Sequence, residues 1–186
     1  ASDVYKRQFY KTTSPSMDIL VSSNLERLLY LMSRDAAYVA GLMGDLNTQG
    51  WYQVSDTLLS KLREVFGCGC CNDEGASAVI GRLWHEEKYL CDPHTAVAFS
   101  ALEQYRAETG DETPCVVVST ASPFKFCGSV LSALGEKDIA SGLDVLDQLS
   151  EKTGLAAPAP LAGLRGKEVR FTPTVEKEHM VDAVLS

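Results

Sequence analysis

The sequence predicts an α/β fold, rich in helix, with a small and incomplete parallel sheet. Two observations predict it. Most of the 186 residues fall into capped, amphipathic helical segments. Only two short stretches read as strands, and the better of them, Cys115-Val116-Val117-Val118, is a continuous β-branched apolar run of the kind buried on both faces of a parallel sheet. Two strands are too few for a stable sheet of that type, so the pattern reads as part of a larger fold.

The elements follow in order. Residues 12–16 are polar and carry Pro15, which blocks a helix. A helix is expected from Asn24, with Ser23 as N-cap and Glu26 at N3, and with Leu25, Leu28, Leu29 and Met32 on one face. A second is expected over 35–46, ending before Gly50, and a third over 56–66, with Leu58, Leu59, Leu62 and Val65 apolar. Residues 67–71 form a Gly- and Cys-rich break before a fourth helix over 73–87. Asp92-Pro93 places a carboxylate at an N-cap and proline at N1, so a fifth helix runs from there to Thr109 and stops at Gly110. After the strand at 116–119, Ser122-Pro123 opens a helix to Leu134, stopped by Gly135. A helix over 138–152 ended by Gly154, a Pro/Ala/Leu connector over 156–164, a strand over 167–171 and a helix over 175–185 complete the chain.

Composition narrows the function classes. The net charge of −8 argues against a nucleic-acid surface, which needs a basic patch, and leaves no polybasic segment for a membrane. No apolar run is long enough to span a bilayer, and residues 1–8 lack the apolar stretch of a signal peptide. The six cysteines then read as reduced thiols, and the expected compartment is the cytoplasm. Residues 1–8 resemble translated sequencing-adapter DNA and are expected to be a non-native scar before residues 9–186.

Chemistry concentrates where the predicted strand ends. In open α/β sheets, ligands bind beyond the carboxyl ends of strands. Ser119, Thr120 and Ser122 bring hydroxyls to a helix N-terminus there, which suits a phosphate, another anion or a cofactor ring nitrogen. By spacing alone, Ser122 is equally an ordinary N-cap and Thr120 a turn residue. Cys68, Cys70, Cys71, His85 and Cys91 lack the paired spacing of structural zinc sites and read as a reduced-thiol loop and its surroundings. His94 faces a pocket or packs locally. Ser14 and Asp18 either shape a site or form a turn. Lys125 follows the hydroxyl turn and reads as solvated.

Three segments, in order, carry a family resemblance. They are Thr13-Ser14-Pro15-Ser16-Met17-Asp18-Ile19 with Ser22 to Arg27; Tyr89-Leu90-Cys91-Asp92-Pro93-His94-Thr95-Ala96-Val97-Ala98; and Val118-Ser119-Thr120-Ala121-Ser122-Pro123-Phe124-Lys125-Phe126. Together they resemble the C-terminal part of threonine synthases. That resemblance implies a tryptophan-synthase-β-like fold, fold type II among pyridoxal-phosphate enzymes. It implies a lyase that converts O-phosphohomoserine and water to threonine and phosphate. It carries over one site residue, Thr120, as the hydroxyl that meets the cofactor's pyridine nitrogen. In the family, the Schiff-base lysine and the Gly/Asn-rich phosphate loop precede the Ser-Pro-Ser-Met-Asp segment that begins here at Ser14, so neither is expected in this chain, and the chain alone is expected to be inactive. The alternatives are another enzyme of the same fold, related to threonine dehydratase or cysteine synthase, and a helical binding module without cofactor.

Overall fold

The structure is a computed structural model that describes residues 4–170, 172 and 174–185. It divides into two compact units, residues 1–140 and 141–186.

The first unit opens with strand β1 (Val4–Lys6), drawn from the segment expected to be a scar. A 3₁₀ turn over Pro15–Met17 leads to helix α1 (Ser23–Ser33) and helix α2 (Ala36–Gln49). Strand β2 (Trp51–Gln53) and helix α3 (Asp56–Val65) follow. Next come helices α4 (Asp73–Glu87) and α5 (Pro93–Thr109), a second 3₁₀ turn over Pro123–Lys125, and helix α6 (Cys127–Ala133).

Side-chain caps set most of these boundaries. Asp35, Ser55, Asn72 and Asp92 each accept an N–H from the first turn of α2, α3, α4 and α5. The α1 cap is Ser22 rather than Ser23: Ser22 is extended and accepts the Leu25 N–H at 3.2 Å. Ser23 lies inside the helix, where its hydroxyl meets the Arg27 guanidinium at 3.2 Å. Gly50 and Gly110 close α2 and α5 in the left-handed conformation.

Two apolar clusters hold the unit. In the first, Leu29 of α1 and Val39, Leu42 and Leu46 of α2 close over Tyr52, Val54 and Leu58. Tyr52 is buried, and the burial pushes its phenol up to about 12. In the second, α4 packs on α5 and α6, burying Ala76, Val79, Ile80 and Leu83 of α4 with Ala96, Val130 and Leu131. Gly81 permits the close approach: a Cβ there would lie 3.2 Å from the Ala133 carbonyl oxygen.

The sheet differs from expectation. Among the described residues it is one antiparallel pair, β1 with β2, in the register Tyr5 opposite Tyr52, the two rings stacked 5.2 Å apart. No parallel sheet is present among the described residues, and the expected strand at 116–119 has no ladder. Val116 is 89% exposed and Val118 is 70% exposed. A doubly buried strand needs hydrogen-bonded neighbours and covering layers, and the described residues supply neither, so the run carries no regular secondary structure.

The second unit contains helix α7 (Asp144–Thr153), the short helix α8 (Ala159–Ala162) and helix α9 (Met180–Leu185), which follows a 3₁₀ turn over Lys177–His179. Helix α7 starts six residues after the expected 138, because Gly142 takes a positive φ of 61° that interrupts any helix across it. Its end at Gly154 is as expected. The connector over 156–164 contains α8. The expected strand over 167–171 is absent at 167–170, and Phe171 lies outside the described residues.

Candidate functional site at the start of helix α5

Three separated stretches of sequence converge on the first turn of α5. At the centre is Asp92, whose side chain is fully buried. Asp92 Oδ1 accepts the His94 backbone N–H at 2.9 Å and lies 2.8 Å from His94 Nδ1. Asp92 Oδ2 accepts the Thr95 hydroxyl at 2.5 Å. Both carboxylate oxygens are therefore satisfied at a helix N-terminus, where the backbone dipole also favours negative charge.

The donors can be assigned around this hub. The Ser16 backbone N–H donates to His94 Nε2 at 3.2 Å, so that nitrogen carries no proton in this arrangement. The ring proton is then on Nδ1, directed at Asp92. The Thr95 proton is committed to Asp92, so the 3.2 Å contact between Thr95 Oγ1 and Ser119 Oγ is donated by Ser119. Phe126 packs beside the imidazole, ring centroids 4.8 Å apart. A continuous chain thus runs from Ser119 through Thr95, Asp92 and His94 to Ser16.

The Thr12–Asp18 stretch closes on itself. Thr12 donates its N–H to Asp18 Oδ2 at 2.8 Å and its hydroxyl to Asp18 Oδ1 at 2.7 Å. Ser14 donates its N–H to Thr12 Oγ1 at 3.2 Å, and Thr13 donates both N–H and hydroxyl to Asp73 at the start of α4, each at 3.0 Å. The Met17 and Asp18 amides donate to the Ser14 and Pro15 carbonyls. Every amide hydrogen from Thr12 to Asp18 is consumed within the chain, which leaves no backbone donor for an anion. The two Thr12 hydrogen bonds hold the Asp18 carboxyl below its ordinary value. Ser14 and Asp18 act here as turn builders.

Thr120 is built differently. It is exposed, next to Ser119 at the end of the apolar run, and its hydroxyl has no hydrogen-bond partner among the described residues. Ser122 caps the following 3₁₀ turn by accepting the Phe124 N–H at 3.3 Å. Lys125 sits in that turn, exposed, its backbone N–H bonded to the Ser122 carbonyl.

The remaining candidates are dispersed. Cys68 and Cys70 are exposed, whereas Cys91 is buried, its thiol pushed up to about 11 by burial and then by the neighbouring Asp92 carboxylate. His85 Nδ1 donates to the Gly81 carbonyl at 2.6 Å. Residues 67–71 cross α5 closely: a Cβ on Gly69 would meet Ala101 Cα at 2.8 Å, and Gln104 donates to the Cys70 carbonyl at 2.8 Å. That loop is a structural staple.

Sequence reading missed the hub. Asp92 was legible only as a cap, although Asp92-Pro93-His94-Thr95 puts a hydroxyl at N3, where capping partners reach back. Nothing local signals the meeting of residues 16 and 94.

Comparison with known proteins now bears on this geometry. A family model described as "Threonine synthase, C-terminal" matches residues 95–184. The threonine synthase of Pseudomonas aeruginosa is 32% identical over 186 residues, covering 97% of this chain and 35% of that protein. The crystal structure of threonine synthase from yeast superposes with a TM-score of 0.79 at 28% identity, over 99% of this chain and 38% of that one. The pyridoxal-phosphate-bound threonine synthase from Brucella melitensis gives a TM-score of 0.66 at 37% identity, over 81% of this chain and 32% of that one. These matches support the chain as a C-terminal piece similar to threonine synthases. It corresponds to the C-terminal part of their fold, and spans between 18% and 35% of the length of the curated threonine synthases and threonine synthase-like proteins it matches.

Proposed function

We propose that this chain forms the cofactor-facing C-terminal part of a threonine synthase, a pyridoxal-phosphate lyase that converts O-phosphohomoserine and water to threonine and phosphate. The observation that carries the reading is the state of Thr120. Its hydroxyl is exposed and unpartnered among the described residues, while the adjacent Ser119 is tied to the buried Thr95–Asp92 pair. A free hydroxyl on an anchored strand end fits a pyridine nitrogen. The nearby carboxylate, that of Asp92, is buried and fully engaged, so it is Thr120 that meets the ring.

When bound, pyridoxal phosphate supplies the electron sink for removing protons next to the substrate amino group. The residues of this chain orient it. A hydroxyl at the ring nitrogen does not enforce ring protonation as a carboxylate would, so positioned groups decide more of the outcome. The lysine that holds the cofactor and the loop that holds its phosphate belong, in this reading, to residues outside this chain. Lys125 lies in the turn after the strand end and does not replace that lysine. The chain alone is therefore inactive, and the complete enzyme works in the cytoplasm.

Exposed Val116 and Val118 support the same reading, because an apolar β-branched run without a ladder fits a strand whose neighbours lie elsewhere in the enzyme. Residues 1–8 remain a scar in this account. The pairing of Val4–Lys6 with β2 runs through main-chain groups, to which Tyr5 adds its stacking on Tyr52.

Thr120→Val in the complete enzyme tests the reading. It should lower cofactor retention or turnover, and unchanged values for both would sink the assignment.

A further inference from the structure

The hydrogen-bond chain at the start of α5 has a feature that helix capping does not require. Capping needs only the bond from the His94 N–H to Asp92 Oδ1. The His94 ring adds two more bonds, and their polarity is set. Nδ1–H points at Asp92 at 2.8 Å, and Nε2 accepts the Ser16 N–H at 3.2 Å. The ring is nearly enclosed, with its side chain 9% exposed and Phe126 beside it. Ser16 belongs to the closed turn, which Thr13 also pins to α4. On the other side, Asp92 Oδ2 fixes Thr95, and Thr95 fixes Ser119, the residue before Thr120.

We infer that His94 is a positioning residue: held as the Nδ1–H tautomer by Asp92, it locks the turn at residues 14–18 to α5, and the shared carboxylate fixes the Ser119–Thr120 strand end against the same helix. The link to the cofactor rests on Thr120 being the ring-facing hydroxyl; the tautomer and the lock do not. A His94 that merely filled space would not need a particular tautomer, nor would its loss be repaired by an amide.

The test has two arms. In this chain, nitrogen-15 NMR of the imidazole at neutral pH should show the proton on Nδ1 and a bare Nε2. The Ser16 amide should exchange about tenfold faster in His94→Leu, as expected for one lost hydrogen bond. His94→Gln should restore protection, since its carbonyl can accept from Ser16 while its amide donates to Asp92. In the complete enzyme, His94→Leu should weaken pyridoxal-phosphate retention several-fold, and His94→Gln should recover it. A proton on Nε2, or an unchanged Ser16 exchange rate in His94→Leu, overturns the inference; the wild-type tautomer decides even if the leucine variant fails to fold. Unchanged cofactor retention and turnover in Thr120→Val would sink the cofactor reading alone, because the tautomer and the Ser16 amide are read without cofactor.

Discussion

Two hydroxyl-rich motifs meet at the start of α5, and they are built in opposite ways. The Thr12–Asp18 turn is closed at its amides: each one donates within the turn, to Asp73 or to His94, and the Thr12 and Ser14 hydroxyls and the Asp18 carboxylate bond one another. The Ser119–Thr120 strand end is half open, with Ser119 anchored to Thr95 and Thr120 facing outward without a partner among the described residues. Similar residue types are thus spent on the scaffold in one place and leave an exposed hydroxyl without a partner among the described residues in the other. Family resemblance marks both motifs alike, whereas their hydrogen bonding differs.

The contrast can be broken at its shared support. Asp92→Ala removes the cap and leaves the Thr95 hydroxyl and the His94 N–H without their acceptor, so it should cost about 2–4 kcal/mol in chemical denaturation and loosen both motifs. A loss below about 0.5 kcal/mol, the range of ordinary surface changes, would mean the hub is not structural.

A smaller effect is expected within the closed motif. Thr12→Val keeps the shape but removes the hydroxyl that bonds Asp18 and Ser14, at about 1–2 kcal/mol. The acid limb sharpens the same point. Asp18 titrates below its ordinary 3.8 in the folded chain, first through the Thr12 N–H and then its hydroxyl. Its contribution is present above that ordinary value and is lost as pH falls through the folded value. The protection factor of the Thr12 amide, its exchange rate relative to the unfolded chain at the same pH, should therefore fall under acid, and Asp18→Asn should flatten that dependence.

The smallest effects belong to the open motif. Val118→Ser in this chain should change stability by no more than about 0.5 kcal/mol, since the side chain is 70% exposed. In the complete enzyme, where this account buries the strand, the same change should be clearly destabilising. Equal, small effects in both would remove the reason to regard residues 116–119 as an unpartnered interior strand.

The helices were largely legible because their ends are punctuated. Asp92-Pro93 and Gly110 bound α5 at both ends, and Gly50 and Gly154 end α2 and α7, so local chemistry alone sets those limits. The start of α7 was not, since an amphipathic pattern over 138–143 says nothing of the positive φ at Gly142. The apolar run at 115–118 pointed to a parallel sheet that is absent among the described residues, where Val116 and Val118 are exposed. Trp51–Gln53 is too short to show a period. At the site, Thr120 emerged through resemblance, whereas the bond between Ser16 and His94 spans 78 positions and has no local signature.

The most direct test compares the two motifs by cofactor retention and stability in the complete enzyme. Thr120→Val should leave the melting temperature nearly unchanged while weakening pyridoxal-phosphate retention, and Thr120→Ser should recover it. A Thr120→Val enzyme that keeps its cofactor and turnover at wild-type levels would contradict the assignment of this strand end as the ligand-facing hydroxyl.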